Sequence, residues 1–463
     1  MLRCGFRNPG RFLLAAIVLL SVCVTPSASG STHAAPANLP ATGSSSTAAN
    51  DSGLLMCNAA EGGDWTTTSA AFEVIRQCTL TIPEAGSVYL SASAWVGLPN
   101  SGSAYKADFR LGLDDSTTGD DRTDRRVSIE PDSGGDGQDK STMVSLLAPI
   151  TSGQHTFYFL GARDMVSGTV LLHAPSLSVL YFPAASAEIM SCGAAANDTQ
   201  TITNTLQEIR SCPLTLPESG SVYLTASAGA GLASGGSAYL GDFQLGVDDV
   251  AGTLDSLRLV DIYPDGGSGS GEVVAAALFV PTIVTGTHTF YFSGMLDLIS
   301  APGPMQVQDA SLSVLFFPAS NTTLKLCGVS DYQYWSSVDN YFTNIRSCNF
   351  SVPNRSLAFV EASAWADMYA PGTTNEWEGN FRLGLDDVNG SASTDRQLNV
   401  YDGQGYEHVL ADSGVFTLMP GDHTFYLAGR RTAGSGRAES LAASLFVLNV
   451  PGPKMVYLPL ILK

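Results

Sequence analysis

Three histidines recur in one short motif and are the first candidates for chemistry. The motif reads HTFY and places His155, His288 and His423 at the start of a strand-like segment, at nearly equal intervals along the chain. One imidazole per copy suits a metal site shared around an axis. The alternative is a half-buried ring whose nitrogens hydrogen-bond to a turn. Because no second ligand recurs at comparable spacing, the pattern favours the alternative.

Motifs of known catalytic mechanisms are missing from the sequence. It contains no GxSxG nucleophile elbow and no HExxH metal motif. Nothing in it places a base beside a nucleophile, and abundant carboxylates do not by themselves make a glycosidase pair. The sequence therefore predicts a protein that is not an enzyme.

Paired aspartates end a strand and open a polar turn in each copy of the LGLDD or LGVDD motif. Oxygen ligands gathered on a loop suit Ca²⁺, although no DxDxDG loop is present and solvated turns are the alternative. Calcium is the one cofactor that the sequence leaves open, at Asp114, Asp115, Asp248, Asp249, Asp386 and Asp387. Two nearby Asp-Arg dipeptides, Asp124–Arg125 and Asp395–Arg396, suggest ordinary surface ion pairs.

Two pairs of tryptophans mark a candidate binding surface. Trp65 and Trp95 are separated by the same interval as Trp335 and Trp365, while the second copy lacks both rings. Positions that gain and lose their rings together predict a contact or a shared site. Exposed rings could stack on sugars. The alternatives are packing within a module or between modules.

Six cysteines follow the N-terminal segment and form three pairs by spacing. The repeated spacing predicts one disulfide within each repeat, Cys57–Cys78, Cys192–Cys212 and Cys327–Cys348. Metal binding would need CxxC or histidine-rich spacings, which are absent. Disulfides also agree with an exported protein.

Self-similarity is the main signal of domain organisation. Cys57, Cys192 and Cys327 are evenly spaced, and each interval is long enough for a complete domain. We expect a signal peptide at 1–30 and a flexible Ser/Thr/Ala-rich leader at 31–53. β-Sandwich modules are then expected at 54–187, 188–322 and 323–453, with a tail at 454–463.

The fold class follows from the period of the apolar residues. In SVYLSASAWV, Val88, Leu90, Ala92 and Ala94 alternate with polar or aromatic neighbours, which is typical of a strand with one buried face. The HTFY strand carries a phenylalanine in every copy (Phe157, Phe290, Phe425) that would fill the space above the alanines. The only helix-like segment precedes the second cysteine of each repeat, as in SAAFEVIRQC, and its Ile-Arg-x-Cys ending favours the start of a strand. The sequence predicts an all-β protein of three tandem sandwich modules.

Taken together, GSVYLSASAWV, DFRLGLDD, PITSGQHTFYFLGAR and SLSVLYFP resemble the jelly-roll module of the C1q/TNF-like superfamily and related β-sandwich repeats of bacterial exported proteins. That superfamily commonly assembles as trimers for ligand recognition. The resemblance therefore implies an intramolecular pseudo-trimer, with separate modules along the chain as the alternative. A collagen-like stalk, the usual companion of a C1q module, is absent from this sequence.

The termini and the net charge restrict location and partners. Three arginines precede an apolar run from Phe12 to Val24, which is typical of a secretory signal, with lipidation at Cys23 as a weaker alternative. No later segment could cross a membrane. The formal net charge of −20 disfavours nucleic acid as a partner. The tail MVYLPLILK suggests either a sorting signal or a last strand.

These observations predict a secreted or cell-surface adhesion or recognition protein, without enzymatic activity. Its expected partner is a glycan or another cell-surface ligand, bound through Trp65, Trp95, Trp335 and Trp365. The alternative is a structural component of the cell envelope or extracellular matrix. In that role the same surfaces would meet other modules or, by self-assembly, other copies.

Overall fold

The computed structural model describes most of the three repeats. The signal peptide, all of the leader except Gly53, and the tail lie outside the described residues, so their predictions are untested. Within the described residues no helix is long and apolar enough to span a membrane. The described ranges are 53–60, 63–97, 104–129, 140–164, 168–232, 239–262, 271–297, 305–366, 377–400, 408–434 and 436–452.

The described part of module 1 contains nine strands in two antiparallel sheets. The strands are β1 (Leu55–Ala59), β2 (Trp65–Thr67), β3 (Glu73–Ile82), β4 (Gly86–Gly97), β5 (Tyr105–Leu113), β6 (Arg125–Ile129), β7 (Lys140–Ile150), β8 (Gly153–Arg163) and β9 (Val170–Pro183). One sheet has the order β1-β9-β4-β7, with β2 also pairing to β9, and the other has the order β3-β8-β5-β6. Without the short β2, this order is that of an eight-stranded jelly roll.

Modules 2 and 3 repeat the same sheet pair. Module 2 contains β10 (Met190–Ala195), β11 (Thr199–Ile202), β12 (Gln207–Leu216), β13 (Gly220–Leu232), β14 (Tyr239–Val247), β15 (Arg258–Ile262), β16 (Gly271–Ile283), β17 (Gly286–Leu296) and β18 (Met305–Pro318). Module 3 contains β19 (Lys325–Asp331), β20 (Trp335–Ser337), β21 (Thr343–Val352), β22 (Ser356–Ala366), β23 (Trp377–Leu385), β24 (Arg396–Val400), β25 (His408–Leu418), β26 (Gly421–Gly434) and β27 (Ala438–Pro451). The predicted all-β fold of three sandwich modules is confirmed.

Each core lies between its two sheets and has the predicted composition. In module 1, Ala92 and Ala94 of β4 and Phe157 and Phe159 of β8 are fully buried in one apolar cluster. Small residues on one sheet make room for the rings of the facing sheet, as close packing requires.

One disulfide joins the two sheets of every module. Cys57 of β1 is bonded to Cys78 of β3, and the equivalent bonds are Cys192–Cys212 and Cys327–Cys348. Because β1 and β3 belong to different sheets, the bond holds the sandwich closed at the first strands.

The helix-like segments before the second cysteine are strands. In β3 the pairing with β8 shifts between Val74 and Arg76, and the same shift occurs in β12 and β21. This β-bulge places two consecutive side chains, Ile75 and Arg76, in buried positions and so interrupts the period of two. The interruption explains why the sequence alone resembles a helix there.

Candidate functional sites within and between the modules

The HTFY histidines are held by two acceptors each. In module 1, His155 Nδ1 lies 2.6 Å from Asp114 Oδ2, and its Nε2 lies 3.1 Å from the carbonyl oxygen of Thr151. His288 and His423 repeat this arrangement with Asp248 and Asp386. A carboxylate and a carbonyl both accept hydrogen bonds, so both ring nitrogens of each histidine are engaged within its own module.

Hydrogen bonding of the ring also affects the protonation of His288. Its hydrogen bond to Asp248 raises the pKa of the imidazole above its usual value, and this outweighs the opposing effect of burial. The predicted interpretation of these rings, as half-buried histidines bonded to a turn, agrees with the structure.

The paired aspartates have separate structural partners. The first of each pair holds the histidine and has a left-handed backbone, with φ of 58° at Asp114 and Asp248 and 57° at Asp386. The second closes the following turn, as Asp115 does by accepting from Thr117 N at 2.8 Å. Among the residues that the structure describes, no group of three or more His, Cys, Asp or Glu could hold a metal. Calcium binding at the aspartates stays a prediction.

Trp65 and Trp335 lie inside their modules. They are 8% and 9% exposed and belong to the cores of modules 1 and 3. A Cβ at Gly161 would lie 3.0 Å from Trp65 Cη2, so the glycine makes room for the ring. These two rings have packing roles and present little surface to a sugar.

Trp95 and Trp365 project from the opposite face of the sheet, as alternation predicts. Trp365 is 7% exposed and packs with Leu257 and Leu259 of module 2. Trp95 is half-buried and stacks on His173, with ring centroids 4.1 Å apart. Within each predicted pair, Trp65 with Trp95 and Trp335 with Trp365, the two rings therefore lie on opposite faces of the sheet. Stacking of a sugar on Trp95 stays a prediction.

Three arginines connect the modules, and the sequence had placed two of them, Arg125 and Arg396, on the surface. Arg125, Arg258 and Arg396 occupy equivalent positions at the start of β6, β15 and β24, and all three are fully buried. The predicted surface pairs with Asp124 and Asp395 are wrong, because these carboxylates pair with Arg110 and Arg382. The burial of the arginines comes from the neighbouring module, which the local sequence does not show.

Each arginine reaches an equivalent serine of the next module. Arg125 Nη2 donates to the carbonyl oxygen of Ser227 at 2.9 Å, and Arg258 Nη2 to that of Ser363 at 3.0 Å. Arg396 Nη2 donates to Ser93 Oγ at 2.7 Å, which returns from module 3 to module 1. The three contacts close a ring, which we call the arginine ring, so the described modules form an intramolecular pseudo-trimer.

The backbone is adapted to the arginine ring. Nη1 of the three arginines donates to the carbonyl oxygens of Asp309, Ala442 and Ala174. These three residues have φ of 51°, 47° and 45°, a left-handed conformation that non-glycine residues rarely adopt. Each lies at a shift of strand pairing in β18, β27 or β9. The bulge turns one carbonyl towards the neighbouring module, where the guanidinium binds it.

A buried carboxylate lies where all three modules meet. Tyr89 of module 1 donates its hydroxyl to Glu361 Oε2 of module 3 at 2.8 Å, and Thr225 Oγ1 of module 2 donates to Oε1 at 3.2 Å. Burial raises the pKa of Glu361 to about 7. Glu361 is equivalent to Ser91 and Thr225 in the repeat, so this position is different in each module.

A second three-module cluster consists of unlike residues from equivalent strand positions. Lys140, Glu272 and His408 line one small cavity, and the Lys140 ammonium forms a buried ion pair with Glu272. Burial, together with the charge of Lys140, lowers the pKa of His408 to about 3. The cluster distinguishes the modules from one another because each contributes a different charge.

Comparison with known proteins shows distant likeness only. No family model matches the chain, and no curated protein matches it significantly. PNGF-II in its C2 space group has 9% identity and a TM-score of 0.25, over 80% of this chain and 99% of that chain. The CBM22-1-CBM22-2 tandem domain of Paenibacillus barcinonensis Xyn10C has 10% identity and a TM-score of 0.15, over 59% and 99%. The STIV MCP has 12% identity and a TM-score of 0.21, over 57% and 97%. Similarities this low carry no information about function.

Proposed function

We propose that this chain is an exported, non-enzymatic recognition or adhesion protein whose three modules form a single head. The observation that carries the proposal is the closed arginine ring, made by Arg125, Arg258 and Arg396. It fixes three jelly rolls in one body and leaves their outer loops and edges for partners. One disulfide per module supports export, since such bonds persist in oxidising compartments.

The repeated polar residues support a role without catalysis. Both nitrogens of His155 have acceptors, and one of these acceptors is the Asp114 carboxylate. The arginines of the ring are bonded to backbone carbonyls of neighbouring modules. Residues that recur three times are therefore engaged in holding the fold, which leaves binding to residues that differ among the modules.

A structural envelope or matrix component is the second candidate. Trp365 favours it, because this ring packs against module 2 and so serves assembly within the molecule. A structural protein of this kind would have to associate further through its outer surfaces.

Two measurements separate the candidates. Sedimentation of the mature, disulfide-bonded chain over a wide concentration range should show a monomer, and the labelled monomer should bind cell surfaces or isolated envelope polysaccharide saturably. Ordered polymerisation without saturable binding would overturn recognition in favour of the structural role. Turnover of a polysaccharide or ester substrate, abolished by one carboxylate substitution, would overturn the non-enzymatic assignment.

A further inference from the structure

Three tyrosines are strongly exposed around β20 of module 3. Tyr332, Tyr334 and Tyr341 are 42%, 46% and 59% exposed, and Val338 between them is 49% exposed. All four lie close together in sequence, in the two connections that flank this short edge strand. We call the three rings the tyrosine surface.

The tyrosine surface is specific to module 3. Aligned on the cysteines and on β20 and β21, Tyr334 corresponds to Asp64 and Thr199, and Tyr341 corresponds to Ala71 and Thr205. Modules 1 and 2 therefore build the same strands without these rings. Since the equivalent strands of modules 1 and 2 form without them, and exposed aromatic clusters usually mark interaction sites, a binding role is the better explanation.

The surface is held in place before any partner arrives. The Tyr334 hydroxyl donates to Glu439 of β27, and the Tyr341 hydroxyl is hydrogen-bonded to Asp339. The backbone is anchored as well, because Arg346 Nη2 donates to the carbonyl oxygen of Gln333 at 3.0 Å. Rings and loops that are ordered in advance lose little entropy on binding.

The chemistry around the rings points to a neutral saccharide. Tyrosine faces bury the CH groups of a sugar, while the half-buried Asp339 carboxylate beside Tyr341 can accept hydrogen bonds from its hydroxyls. The neighbouring Arg430 guanidinium is already stacked on Phe342 at 4.6 Å, the charge of Arg437 near Tyr334 is opposed by that of Glu439, and the chain has a net charge of −20, so an anionic ligand is disfavoured.

We propose that the tyrosine surface of Tyr332, Tyr334 and Tyr341 binds a neutral polysaccharide. The proposal rests on the recognition function above and names its ligand class and its site. It moves the glycan site from the tryptophans predicted by sequence to one edge of module 3.

The test is affinity gel electrophoresis and calorimetry of the full mature chain with a panel of neutral and acidic polysaccharides. We expect binding to a neutral polysaccharide that falls at least about tenfold in Tyr341→Ala and in Tyr332→Ala, a loss of about 1.4 kcal/mol. Tyr341→Phe keeps the ring face and should retain most of the affinity. Met419→Ala, at a residue 62% exposed elsewhere on module 3, is the matched control and should bind like the natural chain.

Unchanged thermal unfolding of the variants shows that they fold. Binding that survives both alanine variants, or a preference for acidic polysaccharides, would overturn the site. Saturable binding to cells through a protein partner, with no polysaccharide retained, would overturn the saccharide assignment and leave the recognition function standing. If no partner binds saturably, both the saccharide site and the recognition function are wrong.

Discussion

At the scale of single residues, the three modules differ at the point where they meet around Glu361. Two modules contribute tyrosines, Tyr89 and Tyr223, at a position where the third has Phe359, and that third module supplies Glu361 two residues later. The Glu361 carboxylate accepts a hydrogen bond from the Tyr89 hydroxyl. Module 3 therefore lacks the tyrosine of the other two modules but supplies the acid that binds the tyrosine of module 1. Because the partners of this buried acid come from the other two modules, its effect on the pH dependence of folding depends on how the three modules pack together.

Glu361→Gln should flatten the dependence of stability on pH. Burial raises the pKa of Glu361 to about 7 from its ordinary value of 4.5. The favourable contribution of the neutral acid is complete below pH 4.5 and is lost as the pH rises through about 7. Relative to the variant, the natural chain should lose roughly 3 kcal/mol across this range, at about 1.4 kcal/mol per pKa unit. Urea unfolding at pH 5 and pH 8 measures the difference, and parallel pH profiles would contradict it.

At the scale of elements, β6, β15 and β24 each present one buried arginine and different outer neighbours. In β6, Arg125 points to module 2, while the next residue, Arg126, is largely exposed and pairs with Asp108. Because side chains alternate along a strand, these two adjacent residues make an inter-module contact and a surface ion pair, respectively. The disulfides act at the same scale, since each joins the first strands of two sheets.

Arg125→Met should destabilise the protein by about 3 kcal/mol. Methionine fills part of the space but leaves the carbonyl oxygen of Asp309 without its donor and that of Ser227 with only the Ser311 hydroxyl, and a buried orphaned acceptor costs about 1–3 kcal/mol. Arg126→Met is the matched control on the same strand and should cost less than Arg125→Met, because the Arg126 guanidinium is exposed and makes no contact with another module's carbonyl oxygens in the arginine ring. Chemical denaturation of both variants compares them. Equal effects would argue against the arginine ring.

Removal of one disulfide should cost about 3 kcal/mol. Cys192→Ala with Cys212→Ala frees a loop with a sequence separation of 20 residues, and closing a loop of this size stabilises by about that amount. Denaturant unfolding under oxidising conditions gives the value. The reduced natural chain should be weakened further, because it lacks all three bonds. A change below about 1 kcal/mol in the double variant would mean that the sheets of module 2 do not depend on the bond.

At the scale of the whole molecule, three similar modules are kept in one order by unlike residues. The bonds from the arginine ring to backbone carbonyl oxygens are equivalent at each interface, so these bonds close the trimer without distinguishing one module from another. Arg396 differs in that it also pairs with the buried Asp412 carboxylate. Lys140 and Glu272 differ between modules and form a buried ion pair beside His408. Like charges at these positions would be costly, so the cluster favours one arrangement of the modules over others.

A charge exchange tests this coupling between modules 1 and 2. Lys140→Glu and Glu272→Lys should each destabilise by about 3–5 kcal/mol, because each leaves two like charges buried together. The double variant should recover a large part of that loss, since it restores an opposite pair. Unfolding free energies of the four proteins form a thermodynamic cycle. Additive losses would show that the two side chains do not interact across the interface.

Much of the fold could be predicted from the sequence. The even spacing of the repeated motifs determined the number of modules, and the spacing of Cys57 and Cys78 determined the disulfide. The alternation through Ala92 and Ala94 determined which face is buried, because a strand repeats every two residues whatever surrounds it. The β-bulge at Arg76 was hidden, since one inserted residue imitates a helical spacing.

Only the tertiary structure decided which polar faces meet another module. Ser93 and Arg396 lie far apart in the sequence, and a serine that accepts from a guanidinium has the same local pattern as one that faces water. The period of the apolar residues shows which side chains are buried in the module's own core. It does not show which polar side chains form a hydrogen-bonded interface with another module. For the same reason the tryptophans suggested a binding surface, while the most exposed rings among the described residues are those of Tyr332, Tyr334 and Tyr341. Exposure is a property of the assembled molecule, because it depends on what the neighbouring modules cover.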